Sequence, residues 1–97
     1  MGIKPQTLGA IVDALEQQDD DAAIFVDPQV ELSADTAAAV GPQGHAEFRG
    51  MRYLLEIWLA REAIDVWRSW RGSRLPTLEE KVAAVVYYAL NDAYMPI

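Results

Sequence analysis

The stretch from Gly50 to Ile97 constrains the fold of this chain more than any other part of it. Met51, Tyr53, Leu55 and Ile57 alternate with Arg52, Leu54 and Glu56. That period of two, with a mostly apolar inner face, predicts a strand. A continuous helix from Gly50 to Arg71 is the competing reading of the same residues. From Trp58 the period becomes helical: Leu59, Ala63, Val66, Trp67 and Trp70 share one face, and Arg61, Asp65 and Arg68 the other. Arg61 and Asp65, at i and i+4, form an expected surface pair worth ~0.2–0.5 kcal/mol. Gly72-Ser73-Arg74-Leu75-Pro76 is a break that no helix crosses comfortably. Thr77-Leu78-Glu79-Glu80 then fits a capping box, in which the Thr77 hydroxyl accepts from the Glu80 amide and the Glu80 carboxylate reaches back. The face Leu78, Val82, Val85, Val86 and Ala89 is expected inside, with Lys81 and Ala84 outside, and Asn91-Asp92 at the end.

The first half is less regular. Leu8, Ile11, Val12 and Leu15 fall on one helical face, started by Pro5 or a capping Thr7 and ended by Gln17-Gln18 and Asp19-Asp20-Asp21. Three carboxylates there oppose the helix dipole, so the chain should turn. Ala22 to Val26 is β-branched and aromatic between turn signals, hence a short strand. Val30, Leu32 and Ala34 alternate with polar residues and suit an extended path. Thr36 to Val40 is read as a strand, although its alanines favour helix, and Gln43 to Arg49 as a loop. Together these elements predict one α+β domain over residues 1–97. Its core is a roughly three-stranded, mostly antiparallel sheet packed against three helices near residues 5–18, 58–71 and 77–91.

Three stretches carry a resemblance: Leu32 to Val40, Gly50-Met51-Arg52-Tyr53-Leu54-Leu55, and Tyr87-Tyr88 with Asn91-Asp92-Ala93-Tyr94. The chain resembles a small bacterial family of unknown function with stretches like LDTPALV, GLRYAL and YYxxNDAF. Thr36, Tyr53, Tyr88 and Asp92 match in kind, while the aromatic residue expected near Val30 is missing. The resemblance implies an α+β fold and brings no activity with it.

Composition narrows the functions. With 52% hydrophobic and 24% charged residues the chain is built to fold rather than to stay disordered. It has no cysteine and one histidine, His45 in a glycine-rich loop, so a zinc-type site or a thiolate nucleophile is not expected. Asp19-Asp20-Asp21 with Asp27 lack the alternating spacing and glycine of a calcium loop. No phosphate-cradling loop and no nucleophile elbow is present, so no enzymatic activity, metal or cofactor is expected. The N-terminus lacks a signal-like apolar core, and no run approaches the ~20 apolar residues of a membrane span, which makes a cytoplasmic protein the expectation.

The net charge of −7 lies entirely in residues 1–50, where Lys4 and Arg49 face nine carboxylates; residues 51–97 carry six charges of each sign. An acidic half repels nucleic acid and attracts basic protein surfaces. The candidate interface residues are therefore Asp19, Asp20, Asp21 and Asp27, together with Trp58, Arg61 and Arg68 on the tryptophan-bearing helix. Trp67 and Trp70 are expected chiefly in the core. The expected function is a small, acidic, intracellular protein-binding module without catalytic activity, such as an immunity, inhibitor or phage counter-defence protein. The alternative is a structural or housekeeping homodimer with the tryptophan-rich helix as its interface.

Overall fold

The computed structural model describes residues 6–28 and 31–96. In chain order the elements are β1 (Gln6–Thr7), α1 (Leu8–Asp13), a 3₁₀ turn (Leu15–Gln17), β2 (Ala22–Val26), β3 (Ala37–Pro42), β4 (Glu47–Phe48), β5 (Met51–Glu56), α2 (Ile57–Ser69) and α3 (Leu78–Asn91). The five strands form one antiparallel sheet in the order β1-β3-β2-β5-β4. The class is the α+β fold with three helices that the patterning predicts. The strand count is five rather than three, because β1 and β4 have two residues each and are too short to show a period.

The central strands form where the sequence places them. Ile24 pairs with Val40 and Val26 with Ala38, so all four face the helices. Burying Ile24 or Val26 fully contributes about 1.5–3 kcal/mol each. The strand expected over 36–40 forms one residue later, as Ala37–Pro42, despite its alanines, since small side chains let α1 lie close on β3. Beside them the 31–36 segment follows bends and turns instead of the expected extended path, while Val30 lies outside the described residues. The continuous-helix reading of 50–71 is excluded, because β5 runs to Glu56 and α2 starts at Ile57 without a loop. The alternation along β5 does not keep a single inner face. The β2–β5 register slips between Ile24 and Phe25: Leu55, opposite Ile24, stays in the core, the bulge brings Leu54 in beside it, and Tyr53, opposite Phe25, lies on the sheet's other face.

On the sheet's other face Phe25 is fully buried beneath Phe48 and Tyr53, with ring centroids 5.4 and 6.0 Å away. The β4–β5 hairpin turns through Arg49 and Gly50, both at positive φ, as a two-residue turn of mirror-image type requires. Its Phe48 ring lies over Gly41, where a Cβ would come within 2.6 Å of the ring.

The first helix is shorter than expected. Thr7 caps it by accepting from Ala10 N at 3.1 Å, and it ends at Asp13 before the 3₁₀ turn; Pro5 lies outside the described residues. Leu8, Ile11, Val12 and Leu15 are all buried, as their spacing predicts. The longest helix, α3, packs between α1 and α2 and also touches β5. This wedge widens its buried stripe: Val82, Ala84 and Val85 are buried, so Ala84 is inside, while Leu78 is exposed.

Candidate functional site

The acidic candidates divide between two places. Asp19, Asp20 and Asp21 form the exposed turn that enters β2, whereas Asp27 follows its far end, about 17 Å away for five residues at ~3.4 Å each. The turn is tied locally: Asp21 N donates to Asp19 Oδ1 at 3.3 Å, and Gln43 Nε2 donates to Asp20 O at 3.1 Å. Asp27 holds the strand end, its N–H donating to Ala37 O at 3.0 Å.

Arg61 joins this turn to α2. Its guanidinium donates to Leu15 O at 2.9 Å and Gln18 O at 2.5 Å, and forms an ion pair with Asp20. The expected partner was Asp65, one helical turn along. Instead Arg61 adds a charged donor to Leu15 O, which already accepts from Gln18 N at 3.1 Å, and to Gln18 O just past the 3₁₀ turn. The ion pair brings Asp20 and Arg61 of the sequence candidates together. Beside it a cleft of about 320 Å³ opens between α1, α2 and α3. Asp13, Glu16 and Asp65 line it with Arg61 and Lys81. Asp13 and Glu16 counted towards the charge asymmetry, but only the approach of the helices shows that they share a wall.

The tryptophans do not form one surface. Trp67 is 4% exposed and belongs to the core, but Trp70, expected with it, is 45% exposed and packs edge-on against Tyr94 at 6.0 Å. Trp58, 47% exposed, stands at the other end of α2, about 18 Å away along the axis at ~1.5 Å per residue. The arginines around Trp67 serve the fold. Arg71 and Arg74 lie over its ring at 4.3 and 4.7 Å, and Arg71 also donates to Pro96 O at 2.7 Å. Arg68 is half-buried, its Nε enclosed without a hydrogen-bond partner. Tyr94 OH donates to Glu62 Oε1 at 2.5 Å, and that hydrogen bond pushes the phenol up to about 12.

At the start of α3 the capping box is complete, with Glu80 N donating to Thr77 Oγ1 at 3.2 Å and Thr77 N to Glu80 Oε1 at 3.0 Å. Arg74 adds a bidentate contact at 3.1 and 2.7 Å, and chiefly by it the Glu80 carboxyl is held at about 2. His45 is exposed in the turn between β3 and β4. Among the described residues no three histidine or carboxylate side chains converge to hold a metal ion, and no helix is long and apolar enough to cross a membrane.

A second concavity, of about 420 Å³, runs along the outer flank of α3 and is walled by residues 32–34. The sequence does not reveal it, because its far wall comes from a segment distant along the chain whose alternation suggests an extended path rather than the bends and turns it adopts.

No protein-family model matches this chain, and neither does any curated protein or solved structure. The resemblance to a bacterial family therefore rests on its short motifs alone.

Proposed function

We propose that this protein is a small acidic binding module that docks onto a basic surface of another protein, in the manner of an inhibitor or immunity protein, and carries out no chemistry itself. The observation that carries the reading is the acidic end of the molecule. Asp13, Glu16, Asp19, Asp20 and Asp21 are five exposed carboxylates within nine residues, and the cleft beside them sets only Arg61 and Lys81 against them. Arg61 is already committed to Leu15, Gln18 and Asp20. Such a field accelerates encounter with a basic partner, lifting association above a neutral ~10⁵–10⁶ M⁻¹s⁻¹.

The test compares association rates of the isolated partner with the native chain and an Asp19→Lys, Asp21→Lys variant at low and physiological salt. The variant should associate about tenfold or more slowly at low salt, and the difference should narrow as salt screens the charges. Equal rates at both salts would overturn the reading. The half-exposed Trp58 favours the second reading, a homodimer through α2. Light scattering that gives a dimer at low micromolar concentration, lost on Trp58→Ala, would support that alternative.

A further inference from the structure

We infer that the groove on the outer flank of α3 is a docking site for an amphipathic helix edged with lysine or arginine, contributed by the basic partner. This inference rests on the reading of a basic partner given above, and it names where and in what form that partner engages.

The floor of the groove is a strip of α3 that repeats each turn: Val82, Val86 and Leu90 at i, i+4 and i+8, with Ala83 and Tyr87 beside them. Leu90 is 62% exposed, so the strip ends in a large apolar side chain open to solvent. From Glu79 to Asn91 the strip runs about 18 Å at ~1.5 Å per residue, long enough to seat apolar anchors at i, i+3 or i+4, and i+7 of an incoming helix. The small Ala83 leaves room for the ~8–10 Å axis separation of packed helices.

The opposite wall is built in advance. The buried Thr36 Oγ1 accepts from Ser33 N at 2.8 Å and donates to Glu31 O at 3.0 Å. Ala34 O accepts from Gly9 N at 2.8 Å, an approach so close that a Cβ on Gly9 would come within 3.0 Å of Ala34. A wall fixed in this way does not have to be ordered on binding, so less affinity is lost.

Charge selects the occupant. Glu79 is the one charged residue lining the groove among the described residues, and the exposed Glu31, Asp35 and Asp92 adjoin its lining segments. Among the described residues no lysine or arginine lines it. A second copy of this chain would bring the same carboxylates face to face and a further net charge of −7, whereas a basic-edged helix meets opposite charge along the rim.

The test is titration of the isotope-labelled full chain with a synthetic helical peptide of about 18 residues, carrying leucine at i, i+3 and i+7 and lysine along both edges. A control peptide carries glutamate in place of lysine. The lysine peptide should move the amide signals of Leu32, Val86, Tyr87 and Leu90, and the glutamate peptide should not. Leu90→Gln should weaken binding about tenfold, with an unchanged melting temperature because the side chain is largely in solvent. Glu79→Lys should weaken it several-fold and flatten its salt dependence. Binding of neither peptide overturns the groove assignment, as do shifts confined to Asp13–Asp21, which would leave the basic-partner reading standing. Equal binding of both peptides overturns the basic occupant. Groove signals that depend on protein concentration without peptide assign the groove to a second copy and overturn the inference as well.

Discussion

Arg61 shows what a single residue settles and what its sequence neighbours conceal. The i, i+4 rule pairs it with Asp65 for a few tenths of a kcal/mol, ~0.2–0.5. Hydrogen bonds from a charged donor to partly buried carbonyls are worth more, about 1.5–3 kcal/mol, so the guanidinium turns to Leu15 O and Gln18 O. Arg61→Ala should therefore destabilise the fold by about 1.5–3 kcal/mol in denaturant titration, far beyond a surface pair. Arg61→Lys should restore only part of it, since an ammonium lacks the fork that reaches two carbonyls. A loss within ~0.5 kcal/mol for the alanine variant would mean that Arg61 is merely a surface charge. Nothing near Arg61 in sequence reveals this role, because its partners lie 43 and 46 positions away. Leu54 was hidden in a related way, since a bulge in the partner pairing, which no local pattern encodes, turned it inward.

Elements whose signals are local were the legible ones. The last helix has its cap, its acidic first turn and its terminating Asn91-Asp92 in the sequence, and the structure shows Thr77 as N-cap and Asp92 in the left-handed conformation just past the end. By contrast β4 depends on a turn through Arg49-Gly50, which lacks the asparagine or aspartate that usually marks such hairpins. The groove wall of residues 31–36 alternates like an extended strand in the sequence, yet it is held in bends and turns by the Thr36 side chain. Thr77→Ala should cost about 0.5–2 kcal/mol, read as a lower midpoint in thermal unfolding; an unchanged midpoint would remove the cap from the stability of α3. Acid probes the same device. The folded Glu80 carboxyl lies at about 2, below its ordinary 4.5, so its contribution is complete above about 4.5 and disappears as pH falls through about 2. The difference in melting temperature between the native chain and Glu80→Gln should thus hold near neutrality and shrink across that window. A difference that does not change with pH would show that the charge on Glu80 has no part in the cap.

For the whole molecule, the charge asymmetry was legible in the sequence, and its division in space was not: five carboxylates gather at one end while Asp27 sits beyond the far end of β2. Gathering like charge costs stability through self-repulsion, and the Asp19–Asp21 turn also follows the negative end of the first helical segment. Selection for folding alone would have little reason to keep such an arrangement, whereas a docking surface would, at the expense of some stability. The two explanations separate in Asp19→Asn, Asp21→Asn. Asparagine keeps the side-chain oxygen that accepts from Asp21 N, so the turn geometry survives while two charges go. Asp20 is left in place because it pairs with Arg61. The variant should melt at a higher temperature than the native chain at low salt. That gain should fade near physiological ionic strength, where the screening length falls to ~8 Å, and association with a basic partner should slow. A lower melting temperature would instead make the carboxylates part of what holds the turn together, and the acidic end would lose its claim to be a surface kept for binding.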